Sequence, residues 1–246
     1  MNPRRASLAL ASAVAASGLV AAWIALAPAA AGAGEASTAQ EPKPDAPPSV
    51  LAHPVDLARP PAAFVAVNRT LREARCVRAD FDEEKRIKVL KRPLVAAGSI
   101  VFSAEHGLYR TTKTPFAQEL LVAPTRLAQR DPKGRIEAID VEKQPLAKGF
   151  VSAFLLVFTG KDKELAEEFE LYFDGTPESW TMGFVPRRKP LSRFIASLVV
   201  TGKGAAFQTL EVRETNGDRT STRFSAVVTD RPLTEDETKR WFGWDG

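Results

Sequence analysis

A single apolar segment, Pro145–Phe158, interrupts a long series of strand patterns, and this arrangement limits the possible folds more than any other feature. The segment is too short to cross a bilayer, which takes about 20 residues, and too apolar to lie exposed to water. Its apolar residues recur at spacings of three and four, so we expect a helix that Pro145 begins and Gly160 ends. Such a helix must cover either a sheet face or a cavity. An ordinary packed helix and a movable lid are both consistent with the pattern.

Patterns typical of strands with one solvent-exposed face lie on both sides of this segment. From Val77 to Asp82 and from Phe169 to Asp174, apolar and polar residues alternate with the period of two that predicts half-buried strands. The pair Asn216-Gly217 is the strongest hairpin signal, and we expect a two-residue turn with positive φ there. A short amphipathic helix over Pro61–Leu71 is expected to open the domain, and Thr234 with Glu237 predicts a capping-box helix start that reaches toward Trp241.

About ten or eleven antiparallel strands joined by short turns must curl so that their apolar faces meet or are covered. The predicted fold class is mainly β (α+β): an incomplete, strongly curved antiparallel β-barrel with the helices at 61–71 and 145–158 as lids. The side chains expected to line a hydrophobic cavity or its lid are Phe81, Ile100, Phe102, Leu120, Phe150, Phe154, Leu155, Phe158, Phe169, Leu171, Phe173, Trp180, Met182, Phe184, Leu198, Phe207, Leu210 and Phe224.

Residues 1–33 have the pattern of an export signal. Arg4 and Arg5 precede an apolar stretch, Ala6–Ala27, and small residues follow it, so cleavage after Ala31 or Ala33 is expected. The stretch is also close to the length of a membrane span, and an uncleaved inner-membrane anchor is the alternative. We expect export to the periplasm and release.

A Pro-rich stretch separates this signal from the rest of the chain. Residues 34–61 include seven prolines and are predicted to be a disordered or extended tether. The remaining residues, 62–246, are enough for one domain with a substantial core.

The charge balance argues against nucleic acid as a partner. Without Arg4 and Arg5 the net charge falls from +4 to +2, whereas phosphate binding needs an excess of clustered cations. The one dense basic cluster, Arg187-Arg188-Lys189, is interpreted as a solvated turn or, alternatively, as a contact for an anionic head group or an acidic partner surface.

Residue types that perform catalysis are scarce. His53 lies in the Pro-rich tether and His106 in a tight turn, and neither has the spacing of a catalytic triad or a metal site. The acidic run Asp80, Asp82, Glu83 and Glu84 is interpreted as the solvent face of a strand and its turn. Cys76, the only cysteine, cannot form an internal disulfide. We therefore expect no enzyme activity, no cofactor and no metal.

Several short motifs are similar to those of the periplasmic lipoprotein carriers, the LolA-like family. They include Lys91-Arg92-Pro93-Leu94, Gly98-Ser99-Ile100-Val101-Phe102, Gly107-Leu108-Tyr109 with Pro115, Trp180-Thr181-Met182 with Pro186, Gly202, and Asn216-Gly217-Asp218-Arg219-Thr220 with Phe224. The resemblance covers residues 74–241. It implies a bent, nearly closed barrel with lid helices and an apolar cavity that shields the acyl chains of lipoproteins crossing the periplasm.

The resemblance also implies partners. The expected cargo is a lipoprotein or another lipidic molecule, received from an inner-membrane donor complex and passed to an outer-membrane acceptor by a monomeric carrier. In the family a basic residue after the strand that begins near Gly98 links barrel to lid; here that place is Ser103-Ala104-Glu105, and Arg110 is the nearest candidate for such a latch. The alternative function is a membrane-tethered lipid sensor of the anti-sigma-regulator type, which shares the fold.

Overall fold

Eleven strands form one antiparallel sheet in the computed structural model, which describes residues 47–229 and 231–244; the side chains of Pro145, Leu146 and Phe150 lie outside that description. The strands are β1 (Cys76–Arg86), β2 (Leu94–Ser103), β3 (Gly107–Thr114), β4 (Gln118–Val122), β5 (Arg126–Arg130), β6 (Ile136–Asp140), β7 (Phe169–Thr176), β8 (Ser179–Pro186), β9 (Ile195–Lys203), β10 (Ala206–Glu214) and β11 (Arg219–Thr229).

The sheet is a curved, incomplete barrel. Its strand order is β6-β5-β4-β3-β2-β1-β11-β10-β9-β8-β7, so each half is a meander and the pairing of β1 with β11 joins the halves. Strands β6 and β7 are the two edges. Apolar side chains from both halves meet in a single core, which requires the sheet to bend back on itself. The predicted fold class is confirmed.

Four α-helices accompany the sheet in the described part of the chain: α1 (Ala62–Glu73), α2 (Pro145–Leu156), α3 (Asp162–Glu168) and α4 (Glu235–Phe242). The connection from β6 to β7, the two edge strands, contains both α2 and α3. The predicted helix over 145–158 is confirmed, although it ends at Leu156 and the chain then turns through Gly160, whose φ is 62°. Helix α3 is not predicted by the sequence pattern, because a seven-residue helix with Leu165 as its only fully buried side chain has little apolar periodicity.

The end of the predicted tether packs on the domain. A 3-10 turn, Ser49–Ala52, buries Val50, and the next residues lie along the outer edge of β7. There Val55 N–H donates to the Leu171 carbonyl at 2.8 Å, and Phe173 N–H donates to the His53 carbonyl at 3.0 Å. These bonds occupy part of the β7 edge, so the chain before Ala62 contributes to the sheet.

A second apolar cluster lies on the opposite, convex face of the sheet, where the C-terminal segment covers β2 to β5. Trp244 packs edge-on against Tyr109 with ring centroids 6.0 Å apart, and the Arg130 guanidinium lies 4.3 Å from the Trp244 ring. The predicted capping box is confirmed, since Glu237 N–H donates to Thr234 Oγ1 and Thr234 N–H donates to the Glu237 carboxylate.

The hairpin at Asn216-Gly217 is confirmed, but its predicted turn is wrong. Four residues, 215–218, connect β10 to β11, and of the pair only Gly217 has a positive φ, 93°. Asn216 Oδ1 instead accepts from Asp218 N–H at 2.9 Å, and Asp218 Oδ1 accepts from Lys88 N–H at 2.9 Å. These side-chain bonds favour the longer turn.

Within the described residues, no helix is both long and apolar enough to span a membrane.

Candidate functional site

The concave face of the sheet, with α2 across it, holds the side chains predicted to line a cavity. Of the predicted set, fifteen are buried in the main core: Phe81, Ile100, Phe102, Leu120, Phe154, Phe158, Phe169, Leu171, Phe173, Trp180, Met182, Phe184, Leu198, Phe207 and Leu210. Leu155 and Phe224 are partly buried against the same core, and the side chain of Phe150 lies outside the described part. The structure thus brings the described members of the predicted set into one core; their role in binding stays a prediction.

A chain of aromatic rings joins α2 and the turn that follows it to both halves of the sheet. Phe158 is its centre, with ring centroids 5.5 Å from Phe102 on β2, 5.4 Å from Phe207 on β10 and 5.1 Å from Phe154 on α2. Phe207 in turn lies 6.0 Å from Trp180 on β8. The contacts among the phenylalanine rings are apolar and not tied to one hydrogen-bond geometry, so an apolar guest could replace them. The Trp180 indole is fixed in addition by its Nε1–H, which donates to the Gly204 carbonyl at 3.0 Å.

Helix α1 contacts both β7 and the turn that follows α2. Its Phe64 packs edge-on against Phe173 of β7 with centroids 5.6 Å apart. Arg72 Nη1 donates to the Gly160 carbonyl at 2.8 Å and lies 3.5 Å from Asp162. At Gly160 a Cβ would lie 2.6 Å from the Asn68 carbonyl, so the close approach of the turn to α1 requires glycine. Among the described residues, Arg72 thus makes the polar contact between α1 and the turn after α2, and Gly160 makes the close approach possible.

Buried charges lie on the same concave face, beyond the aromatic rings. Arg110 of β3 donates two hydrogen bonds to Glu83 of β1, at 2.8 and 2.9 Å, and its guanidinium lies 4.1 Å from the Phe81 ring. Thr222 donates to the same carboxylate at 3.0 Å. Arg110 reaches Glu83 across β2, where Gly98 presents no side chain: a Cβ there would lie 3.0 Å from the Phe81 ring and 1.9 Å from the Thr111 carbonyl oxygen.

The interpretation of Glu83 as part of a solvent face is therefore wrong. Asp80 and Asp82 are exposed, but Glu83 is only 6% exposed. The signal was present in the alternation itself, because Glu83 shares the parity of Ala79 and Phe81 and so points to the concave side. The four neighbouring acidic residues suggest one exposed face, although Glu83 and Glu84 point to opposite sides of the strand.

A second buried ion pair involves Lys85, which lies two residues after Glu83 on the same side of β1. Lys85 Nζ donates to Glu214 at 2.9 Å, and both side chains are less than a tenth exposed. Thr220 pairs with Lys85 in the register of β1 and β11, and its buried hydroxyl has no hydrogen-bond partner among the described residues. The two buried pairs, Glu83–Arg110 and Lys85–Glu214, contain two carboxylates and two cations. Together they are therefore formally neutral, and each charge has a partner of opposite sign.

Arg110, the predicted latch, is thus built into the sheet. Its described contacts join β3 to β1 and β11, through Glu83 and Thr222, and to Thr112 on its own strand. Its action as a latch between barrel and lid stays a prediction.

Candidate nucleophiles and metal ligands in the described part of the chain do not assemble into a site. No group of three or more His, Cys, Asp and Glu side chains there could hold a metal ion. Burial raises the pKa of the Cys76 thiol, which keeps it protonated and weakly nucleophilic. The His106 ring packs against Phe242, with centroids 5.4 Å apart, at the end of the C-terminal helix. What this arrangement can do is enclose apolar groups.

Comparisons with solved structures find distant likenesses. A LolA superfamily protein from Nitrosomonas europaea is 6% identical, with a TM-score of 0.38, over 72% of this chain and 97% of that one. A putative outer membrane lipoprotein-sorting protein domain from Vibrio parahaemolyticus is 11% identical, with a TM-score of 0.39, over 72% and 95%. A chain in the Pseudomonas aeruginosa MucA/MucB complex is 13% identical, with a TM-score of 0.43, over 72% and 60%. No curated protein matches this chain.

A family comparison is more extensive. The family described as outer membrane lipoprotein carrier protein LolA-like matches residues 59–240, which include α1, all eleven strands and α2 with its flanking turns. The match covers well over half of the chain. This protein therefore belongs to the LolA-like outer membrane lipoprotein carrier family.

Proposed function

We propose that this protein is a periplasmic carrier that shields the acyl chains of a lipoprotein, or of another lipidic cargo, under α2. It takes the cargo as a monomer from an inner-membrane donor complex and delivers it to an outer-membrane acceptor. Family membership supports a lipid-binding carrier in general, and the observation that supports this cargo site is the aromatic chain from Phe154 through Phe158 to Phe207 and Trp180.

A soluble carrier is needed because acyl chains are costly to expose. At about 0.8 kcal/mol for each methylene group, a chain of some 16 carbons carries on the order of 12 kcal/mol in water. The concave face offers the apolar surface that can cover it. Release requires that part of this free energy is offset, and separating α2 from the sheet supplies that cost.

Opening at α2 is supported by how the helix is attached. Its Phe154, with Phe158 in the turn after it, contacts the core through side chains, and its backbone continues into short turns at both ends. Among the rings described above, Phe158 is the one that contacts both β2, through Phe102, and β10, through Phe207. Displacing the turn after α2 therefore separates one set of rings and leaves every strand ladder intact.

The direct test is mass spectrometry of the organic extract of the purified full chain, with a control protein purified in parallel. We expect bound lipid in stoichiometric amounts, and the spectrum identifies the cargo. An extract no richer in lipid than the control contradicts the proposal.

A matched pair of variants locates the site. Phe154→Asp is expected to lower the affinity for a fluorescent long-chain fatty acid at least tenfold, because one buried carboxylate faces the guest. Val65→Asp, at a residue of α1 that is 43% exposed, should leave the affinity unchanged. If Phe154→Asp unfolds, Phe154→Ala removes the ring without adding charge. Equal affinity of Phe154→Ala and the unmodified protein contradicts a site under α2.

A further inference from the structure

The two ends of the barrel differ in charge. In this antiparallel sheet the turns alternate between the ends, and five of them lie at the end that β1 reaches at Arg86: residues 87–93, 115–117, 131–135, 187–194 and 215–218. These five turns carry nine Lys and Arg and two Asp. The four turns at the other end, residues 104–106, 123–125, 177–178 and 204–205, carry two Glu and no Lys or Arg. We call the first set the basic end.

Exposed apolar side chains concentrate at this basic end. Val89, at the tip of the β1–β2 hairpin, is 87% exposed, and Val95 at its base is 63% exposed. Leu90 beside Val89 is 46% exposed, and Phe116 in the β3–β4 turn is 51% exposed. Four of the seven large exposed hydrophobic side chains in the described residues therefore lie in or next to two turns at one end.

The cations of the hairpin are available to a partner. Lys88, Lys91 and Arg92 are exposed, and no carboxylate of the described residues forms an ion pair with them. The sequence from 86 to 98 contains no Asp or Glu. Arg187, by contrast, lies 3.7 Å from Glu170 and is partly compensated.

We propose that the basic end docks on the surface of an anionic lipid bilayer, with Val89 and Leu90 entering the interface and the flanking cations contacting head groups. Apolar side chains at the tip, surrounded by Lys and Arg, are the combination that binds such interfaces. A nucleic acid would use the cations but gives no reason for two aliphatic side chains at the tip, and a failure to bind either kind of vesicle would favour an acidic protein as the partner. The cluster Arg187-Arg188-Lys189 lies at the same end, which fits its interpretation as a contact for an anionic head group.

Cosedimentation with vesicles tests this docking, independently of whether the concave face holds a cargo. The full chain is mixed at low salt with vesicles of phosphatidylcholine alone, or with about one third phosphatidylglycerol. We expect pelleting only with the anionic vesicles and release by high salt. Since each cation contributes roughly fivefold near such a surface, Lys91→Glu/Arg92→Glu is expected to weaken binding at least about 25-fold.

Two further variants separate docking from total charge and from cargo uptake. Lys203→Glu/Lys239→Glu changes the net charge by the same amount at exposed positions outside the basic end, and binding should stay within about twofold of the unmodified protein. Val89→Ser/Leu90→Ser should weaken binding while keeping the preference for anionic vesicles. Equal binding to both vesicle types, no binding to either, or equal loss in the two charge-reversed variants overturns the proposal.

Discussion

The buried Glu83–Arg110 pair gives the sharpest test of how the concave face is built. The two side chains are 6% and 5% exposed, and two hydrogen bonds of 2.9 and 2.8 Å join them. Glu83→Gln keeps the shape and one acceptor oxygen but removes the charge, and the Arg110 cation is then left in a site with little water. Removing one partner of a buried pair costs about 3–5 kcal/mol, and the retained acceptor places this variant near 3 kcal/mol.

The control lies one residue away. Glu84 also pairs with a cation, Arg86 at 2.7 Å, but these side chains are 42% and 63% exposed. Exposed pairs contribute about 0–1 kcal/mol, so Glu84→Gln should be nearly neutral. We expect urea unfolding to show a difference of about 2–3 kcal/mol between the variants, with a melting temperature lower by roughly 6–12 °C for Glu83→Gln. A difference below about 1 kcal/mol would refute the reasoning that the first pair is shielded from water.

Three further predictions follow from single contacts. Arg72→Ala removes the bond to the Gly160 carbonyl, so exchange of bound fatty acid should accelerate several-fold in stopped-flow measurements, whereas Arg69→Ala, on the exposed side of α1, should not change the rate. Gly98→Ala should cost about 2 kcal/mol or more of unfolding free energy, because the new Cβ would lie 1.9 Å from a β3 carbonyl oxygen; wild-type stability would contradict this. Burial raises the pKa of Tyr109 from 10.0 to about 12, so its contribution to stability is complete below pH 10 and lost as the pH rises toward 12. Ultraviolet titration should show that high pKa, and Tyr109→Phe should flatten this part of the stability profile; a titration near pH 10 would contradict it.

The strands could be predicted from the sequence because alternation reports local geometry. Phe169, Leu171 and Phe173 identify the buried side of β7 whatever the remainder of the chain does, and the same holds for Trp180 and Met182 on β8. The pairing of β1 with β11 could not be predicted in this way, because each half of the sheet has two edge strands and alternation does not determine which of them join the halves.

The parts that were missed depend on contacts between distant residues. Glu83 and Arg110 are 27 residues apart, and their pairing depends on Gly98 of a third strand, which no local pattern reveals. Likewise, Thr234 and Glu237 predicted the start of α4, but not that the C-terminal segment would bury Trp244 against Tyr109. Local chemistry predicts where an element begins, whereas the complementary surface determines where it packs.

Quenching of Trp180 by a brominated long-chain fatty acid tests the central claim most directly, because Trp180 is 2% exposed and belongs to the ring chain that connects to α2. The contribution of Trp180 is isolated by subtracting the signal of Trp180→Phe. A guest beneath α2 brings bromine into contact with this indole, so we predict saturable quenching of the Trp180 signal by the brominated acid and none by its unbrominated analogue. Binding of the acid without any quenching of Trp180, or no binding at all, would contradict a guest site on the concave face.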